Sequence, residues 1–324
     1  MGGLIERLRQ VRRDALGLNR RNQEFLLRLN PPPLIGLVDH KVRTKEVLAR
    51  CGLPVPATYG RYTRQRELFE LKREVEHHAE FVLKPVRGAG GEGVVVIAGR
   101  RGDRLLKSSG AMLTLADLLS HAADIIAGAF SLSQARDEAV LEYRLTPEPV
   151  LASYSPGGIA DVRVLIVRGV PLMAMLRLPT RSSDGRANLH VGGVGVGLDL
   201  HSGHAVHAIC RDRPVALHPD THQPLSALRV PGWEHVLQLA AQSYDAIPLG
   251  YFGIDLVIDA ALGPTILELN ARPGLSIQLA NRCGLRRLLA ALDRHAVAGR
   301  TAADRVTLGL EIAADTPRVS AGLP

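Results

Sequence analysis

The sequence predicts an α+β protein built as two lobes. Helical and strand patterns fall into two unlike blocks, strands dominate from Val140 to Ile209, and 324 residues is the length of about two domains at ~150 residues each. With 46% apolar and 22% charged residues, bulk disorder is excluded. No run approaches the ~18 apolar residues of a membrane span. The start, MGGLIERLRQVRRD, is too charged for a signal peptide, and Glu6 stands where a myristoylation signal needs Ser or Thr. Cys51, Cys210 and Cys283 lie far apart without paired spacing, so neither a disulfide framework nor a cysteine metal site is indicated. A cytoplasmic location is expected.

Residues 1–38 read as a basic amphipathic helical arm. Residues 1–30 carry seven arginines against three acids, which is half of the chain's net charge of +8. Leu4, Leu8, Val11, Ala15 and Leu18 recur at helical spacing. Two readings stay open: a helix docked on the body with solvated arginines, or adhesion to an anionic membrane surface or acidic partner, which would make the protein peripheral at the inner membrane face. Nucleic acid is not expected, because Phe25 is the segment's lone aromatic and stacking platforms need several.

Asn30-Pro31-Pro32-Pro33 ends the arm. A helix follows over Lys41–Arg50, stopped by Gly52 and Pro54, then one carrying Leu68, Leu71 and Val75. Strands are expected at Phe81–Leu83 and Val94–Ile97, flanking glycines 88–93. Thr114 and Asp117 form a capping-box pattern before a helix with Leu118, Leu119, Ala122, Ile125 and Ile126. Another helix is expected over Trp233–Ala246, with Trp233 as a core anchor, then a strand pair across 251–270, and a helix over 276–295. Residues 301–324 read as a tail.

Gly88-Ala89-Gly90-Gly91-Glu92-Gly93 satisfies G-x-G-x-x-G. A dinucleotide fingerprint must open a helix, whereas here Val94, Val95, Val96 and Ile97 continue as a strand. The protein-kinase pattern fails as well, since no V-A-I-K, H-R-D or D-F-G follows. What remains is a glycine-rich loop between strands, either an ordinary hairpin or one whose N–H groups close over phosphates, with Lys84 to neutralise them.

In YFGIDLVID, Ile254, Leu256 and Ile258 alternate, which puts Asp255 on the opposite face. Glu268 and Asn270 share one face of the next strand. If residues 260–263 form the turn, Asp259 pairs with Pro264 and Asp255 lies across from Glu268, with Asn270 diagonal. A one-residue slip would separate them. Two carboxylates and an amide oxygen suit a hard ion such as Mg²⁺; a polar solvent face is the alternative. Between these signals, Arg163 follows Asp161 in the apolar strand DVRVLIV and Arg177 sits in MAMLRLP. Buried arginines must be paired, so a cleft holding anionic ligands accounts for both. His201 with His204, and His218 with His222, read as turn polarity, because zinc sites need three or four placed ligands.

Taken in order, DHKVRTKEVLARCGLPVPATYG, FVLKPVRGAGGEGVVVI, VLEYRL, ADVRVLIVRG, MAMLRLP, ANLHVGG, GIDLVID and LELNARPG resemble the ATP-grasp superfamily, and within it the alpha-L-glutamate ligase (RimK-like) branch. The resemblance spans residues 39–285. It implies an ATP-grasp fold with two α+β lobes clasping ATP, over 39–141 and 142–300, with the short arm in place of the usual leading α/β domain. It implies that Lys41, Lys45 and Lys84 bind the nucleotide, that Gly88, Gly90, Gly91 and Gly93 close over its phosphates, and that Glu142 and Tyr143 read the adenine edge. Asp255, Glu268 and Asn270 match ligands for Mg²⁺ or Mn²⁺, as two ions. Arg163, Arg177, Asn188 and Arg272 match positions that hold the γ-phosphate and the acyl intermediate.

The activity implied is an ATP-dependent carboxylate–amine ligase that adds glutamate or another amino acid to an acceptor through an acyl phosphate. Its partners would be ATP, a carboxylate substrate and an amine substrate; assembly as a homo-oligomer is compatible with the sequence. A kinase on the same fold and a nucleotide-binding scaffold tethered by the arm are the alternatives.

Overall fold

The computed structural model describes residues 14–87, 92–131 and 135–316. The chain divides into two compact units. The smaller holds residues 40–42 and 55–146, and the larger holds the remainder, including the N-terminal segment.

In the smaller unit, β1 (Thr58–Tyr62), β2 (Phe81–Pro85), β3 (Val95–Arg101), β4 (Arg104–Lys107), β5 (Met112–Leu113) and β6 (Ala139–Glu142) form an antiparallel sheet in the order β1-β6-β2-β3-β4-β5. Alternation on β2 buries Phe81 and Leu83 and turns Lys84 to the other face. Helices Leu68–His77 and Leu115–Ala127 cover the apolar face, where Leu71, Val75, Leu118, Ala122 and Ile125 meet Phe81, Leu83, Ile97 and Leu141. The expected capping box forms: the Thr114 side chain accepts from Asp117 N–H at 3.1 Å, and Asp117 accepts from Thr114 N–H at 2.9 Å.

The larger unit carries β7 (Asp161–Val167), β8 (Val170–Leu178), β9 (Val194–Leu198), β10 (Ala205–Cys210), β11 (Arg213–Pro214), β12 (Tyr251–Asp259) and β13 (Gly263–Asn270), all antiparallel in the order β11-β10-β9-β8-β7-β12-β13. Every residue of β7 and β12 is buried, because helices pack on this sheet. Helix Trp233–Ala246 starts where expected, and Trp233 is a core anchor whose indole N–H donates to Leu200 O at 2.8 Å. Helix Ser276–Asn281 lies so close to β9 that a Cβ at Gly197 would stand 2.2 Å from Ala280 O.

Four expectations are corrected. The helix expected over 276–295 is two helices, Ser276–Asn281 and Leu285–Leu292, because Arg282 adopts φ 47° and Gly284 starts the second in extended conformation. Within the expected tail, Ala302–Asp315 is a helix opened by a Thr301–Asp304 capping box, and it packs so tightly on β8 that a Cβ at Gly309 would lie 2.3 Å from Pro171 O. The prolines end one helix and begin another: Pro31 is extended and Pro32, whose missing N–H costs nothing at a first turn, opens helix Pro32–Val38. The fourth concerns the arm. Leu4, Leu8 and Val11 lie outside the described residues, while Ala15 is exposed and Leu18 is 60% exposed. The docked face is Leu16, Arg21, Leu26 and Asn30 instead. The expected face fails because residues 15–17 are not helical; residues 21–26 then form a π-helix, which places Arg21 and Leu26, five apart, on the buried side.

The hairpin of β12 and β13 reaches the expected pairing by another route. Its turn is one residue shorter than expected, with Asp259 opposite Gly263 rather than Pro264. A β-bulge between Asp255 and Leu256 then absorbs Leu267, so Asp255 still faces Glu268.

Candidate functional site

Four adjacent strands of the larger unit present one polar face. Asp161 on β7 is opposite Arg177 on β8, Asp255 on β12 is opposite Arg163 on β7, and Glu268 and Asn270 on β13 stand opposite Asp255 and Gly253. Cross-strand partners and residues two apart share a face, so all six side chains emerge together. Gly253 lets Pro273 approach, since a Cβ there would stand 2.9 Å from Pro273 Cβ, while Arg163 Nε at 3.7 Å would be in ordinary contact.

The arginines find carboxylate partners within the chain. Asp255, fully buried, accepts from Arg163 Nε at 2.7 Å, Arg163 Nη2 at 2.6 Å and Arg177 Nη2 at 2.7 Å. Arg177 Nε donates to Asp161 Oδ1 at 2.6 Å. Each guanidinium is therefore held by its Nε and Nη2 edge, and neither Nη1 has a hydrogen-bond partner among the described residues. Glu268 stands directly across from Asp255 on β13.

Burial works against the charges of Asp161, Arg177 and Asp255. For Asp255 burial raises the pKa, but Arg163 and Arg177 outweigh it and bring the carboxyl down to about 2. For Asp161, burial is the largest influence; Arg177 opposes it, the neighbouring Asp255 charge adds to it, and the carboxyl is pushed up to about 7. Arg177 is also desolvated, yet Asp161 and Asp255 hold it firmly protonated.

Asn270 Oδ1 accepts from Arg272 N–H at 2.9 Å, and the Arg272 side chain, 53% exposed, pairs with Asp39 at 3.0 Å. Asn188, in the connection between β8 and β9, accepts from His190 N–H at 3.0 Å and caps a short 3₁₀ turn. It makes no hydrogen bond to the polar face among the described residues.

In the smaller unit, the Lys84 ammonium pairs with the buried Glu142 carboxylate, diagonally across β2 and β6. Tyr143 N–H donates to Ala57 O at 2.8 Å. Gly93 has φ 73°, its carbonyl is 2.8 Å from His121 Nε2, and a Cβ there would meet Phe130 at 2.6 Å, so glycine is required on both counts. Gly88, Gly90 and Gly91 lie outside the described residues. Lys41 opens helix Lys41–Arg50 and Lys45 is buried one turn later.

The histidines serve turns. His218 is fully buried, its Nε2 is 3.1 Å from Pro179 O and its Nδ1 accepts from Asp220 N–H at 3.2 Å. Among the described residues, no three His, Cys, Asp or Glu side chains are grouped to hold a metal ion. The residue that the sequence reading left out of the site is Asp161. Its position two before Arg163 on a strand was the available signal, since that spacing fixes a common face.

Two antiparallel sheets covered by helices, six strands in one unit and seven in the other, agree with an ATP-grasp fold. The chain belongs to the sugar-transfer associated ATP-grasp family, whose model matches residues 20–294. No curated protein matches the chain. Solved structures with similarity include the ATP-grasp ligase PsnB complexed with minimal precursor, Mg and ADP, at 17% identity, 76% of this chain, 54% of that chain and a TM-score of 0.37. D-alanine–D-alanine ligase from Bacillus anthracis complexed with ATP follows at 14%, 88%, 68% and 0.42. D-alanyl-alanine synthetase A from Vibrio cholerae gives 11%, 89%, 67% and 0.48. The chain spans a little over half the length of the PsnB chains, 56% in the complex with minimal precursor alone.

Proposed function

We propose that the chain is an ATP-dependent carboxylate–amine ligase. The observation that carries this reading is the pair of guanidinium groups, each anchored through Nε and Nη2 with Nη1 unpartnered among the described residues. Two fixed arginines with one edge each to offer suit an anion that changes shape during reaction.

A carboxylate resists amine attack because oxide is a poor leaving group. Transfer of the γ-phosphoryl group from ATP to a carboxylate oxygen releases ADP and gives an acyl phosphate. The amine nitrogen attacks its carbonyl carbon, Arg163 and Arg177 stabilise the tetrahedral oxyanion, and the C–O bond to phosphate breaks. The departing phosphate takes the amine proton, leaving an amide. Lys84, with Lys41 and Lys45, is assigned to the nucleotide phosphates, the loop from Gly88 to Gly93 to their cover, and Glu142 with Tyr143 to the adenine end. Asn188 and Arg272 are assigned to the acyl intermediate.

Asp255, Glu268 and Asn270 fit a hard divalent ion by their donor chemistry. A carboxylate has about four lone-pair sites, and Asp255 uses three on arginine N–H groups. Mg²⁺ bound there would supply Lewis-acid neutralisation of phosphate charge. Because the ordered motifs resemble the glutamate-ligase branch, glutamate is the first amino acid to try. Exposed Leu18 and Leu27, beside Arg20 and Arg28, are the surface through which the segment would meet an anionic membrane. Among the described residues no helix is long and apolar enough to cross one.

Screening ADP release over amino acids and short peptides, with mass spectrometry of the products, tests the reaction. A stable phosphorylated product without an amide would make the chain a kinase. Glu268→Ala is expected to abolish Mg²⁺-dependent ADP release at an unchanged circular-dichroism spectrum; undiminished release by the folded variant would refute the metal assignment.

A further inference from the structure

We infer that Asp161 is a positioning residue that sets the orientation of Arg177 toward the anion. This rests on the reading of Arg177 as an anion-holding group. The contact is between directly opposed residues of β7 and β8, with Asp161 Oδ1 at 2.6 Å from Arg177 Nε and both side chains largely buried, 6% and 13% exposed. Arg177 has two carboxylate partners, and they do different things. Asp255 takes Nη2, but it also takes the Nε and Nη2 donors of Arg163, so by itself it leaves the Arg177 fork free to rotate about that single bond. Adding the Nε bond to Asp161 fixes the guanidinium plane at two points, and a planar fork fixed at two points has a defined direction for its remaining Nη1 edge.

Charge and position make opposite demands on a substitution here. If Asp161 acted only through charge, removing it would leave the site more positive and tighten anion binding, while a glutamate would be tolerated. If it acts by position, what matters is an acceptor oxygen at that point. Asp161→Asn keeps the acceptor and loses the charge; Asp161→Glu keeps the charge and displaces the acceptor by one methylene.

The test is calorimetric titration of inorganic phosphate into the wild-type full chain, Asp161→Asn, Asp161→Glu and Arg177→Lys, with folding checked by thermal melting. The expected result is phosphate affinity within about threefold of wild type for Asp161→Asn and about tenfold weaker for Asp161→Glu, since a misplacement of about 1 Å costs one to two orders of magnitude at a preorganised site. Should Asp161→Glu fail the melting check, Asp161→Ser, which lacks both charge and reach, takes its place with the same expected loss. Any other pattern overturns the inference: an intact glutamate variant, an asparagine variant changed tenfold in either direction, or no change in any Asp161 variant. Wild-type affinity in Arg177→Lys, or no phosphate binding by the wild type, refutes the anion-site reading itself and this inference with it.

Discussion

Arg163 supplies two of the three N–H donors that hold the fully buried Asp255. Its removal leaves that carboxylate with Arg177 alone, so Arg163→Met is expected to cost about 3–5 kcal/mol, read as a fall in the urea midpoint. Within this group, two carboxylates contribute pH dependence of opposite sign. Asp161, raised by burial to about 7, binds its proton more tightly folded than unfolded; its contribution is complete below the unfolded carboxylate range and is lost as pH rises through about 7. Asp255, brought down to about 2 by its arginines against the pull of burial, contributes above the unfolded range and loses that contribution as pH falls through about 2. Between pH 5 and 8 the Asp161 contribution falls, while His207 and His218, whose pKa values burial lowers, contribute in the opposite direction in both proteins; the urea midpoint of the wild type relative to Asp161→Asn should therefore decline across that interval. A midpoint with the same slope in both proteins would contradict this. The common face of Asp255, Glu268 and Asn270 was legible in the sequence, since residue spacing sets it once strands are assigned. The carboxylate partners of Arg163 and Arg177 were not, because that pairing depends on β7 lying between β8 and β12, a sheet order that local spacing does not encode.

Among elements, the β12–β13 hairpin shows how a sequence reading can reach a correct pairing through a wrong turn. Counting from an assumed four-residue turn aligned Asp255 with Glu268; the chain makes a shorter turn and restores the alignment with a bulge at Leu267. Such compensation is invisible to alternation, which counts residues and not hydrogen bonds. The N-terminal segment was misread for a related reason. Spacings of three and four predict an α-helical face, but residues 15–17 are not helical and leave Leu16 rather than Ala15 buried, and the π-helical bonding of residues 21–26 puts Arg21 and Leu26 on the docked side. Side chains then tie the segment down: Asn30 donates to Tyr251 O at 2.7 Å and accepts from Tyr251 N–H at 2.8 Å, and Gln278 accepts from Leu16 N–H at 2.8 Å and donates to its carbonyl at 3.1 Å. Asn30→Ala leaves two buried backbone groups of Tyr251 without this partner and is expected to cost about 2–4 kcal/mol in urea denaturation.

Across the whole molecule, the two-block α+β character and most helix positions were legible from periodicity, capping residues and punctuation. The Ala302–Asp315 helix was not, although Thr301 and Asp304 cap it as Thr114 and Asp117 cap the earlier one. Its buried stripe of Arg305, Leu308, Gly309 and Ile312 includes a glycine and an arginine, which dilute the apolar signal. Arg305 is buried by pairing with Asp245 at 2.7 Å and by donating to Ala241 O at 3.1 Å. Truncation after Arg300 would strip this cover from β8, and limited proteolysis should then cut the larger unit at protease concentrations the full chain withstands.

The ties of the N-terminal segment also set an order of events during synthesis. Leu16 waits for Gln278 across 262 positions, and Asn30 waits for Tyr251 across 221. Loops of that length close only after the intervening sheet exists, so this segment, made before the strands it packs against, docks after them. Until then Leu16 and Leu26 stay uncovered, the state in which a chaperone or a protease would meet the nascent chain.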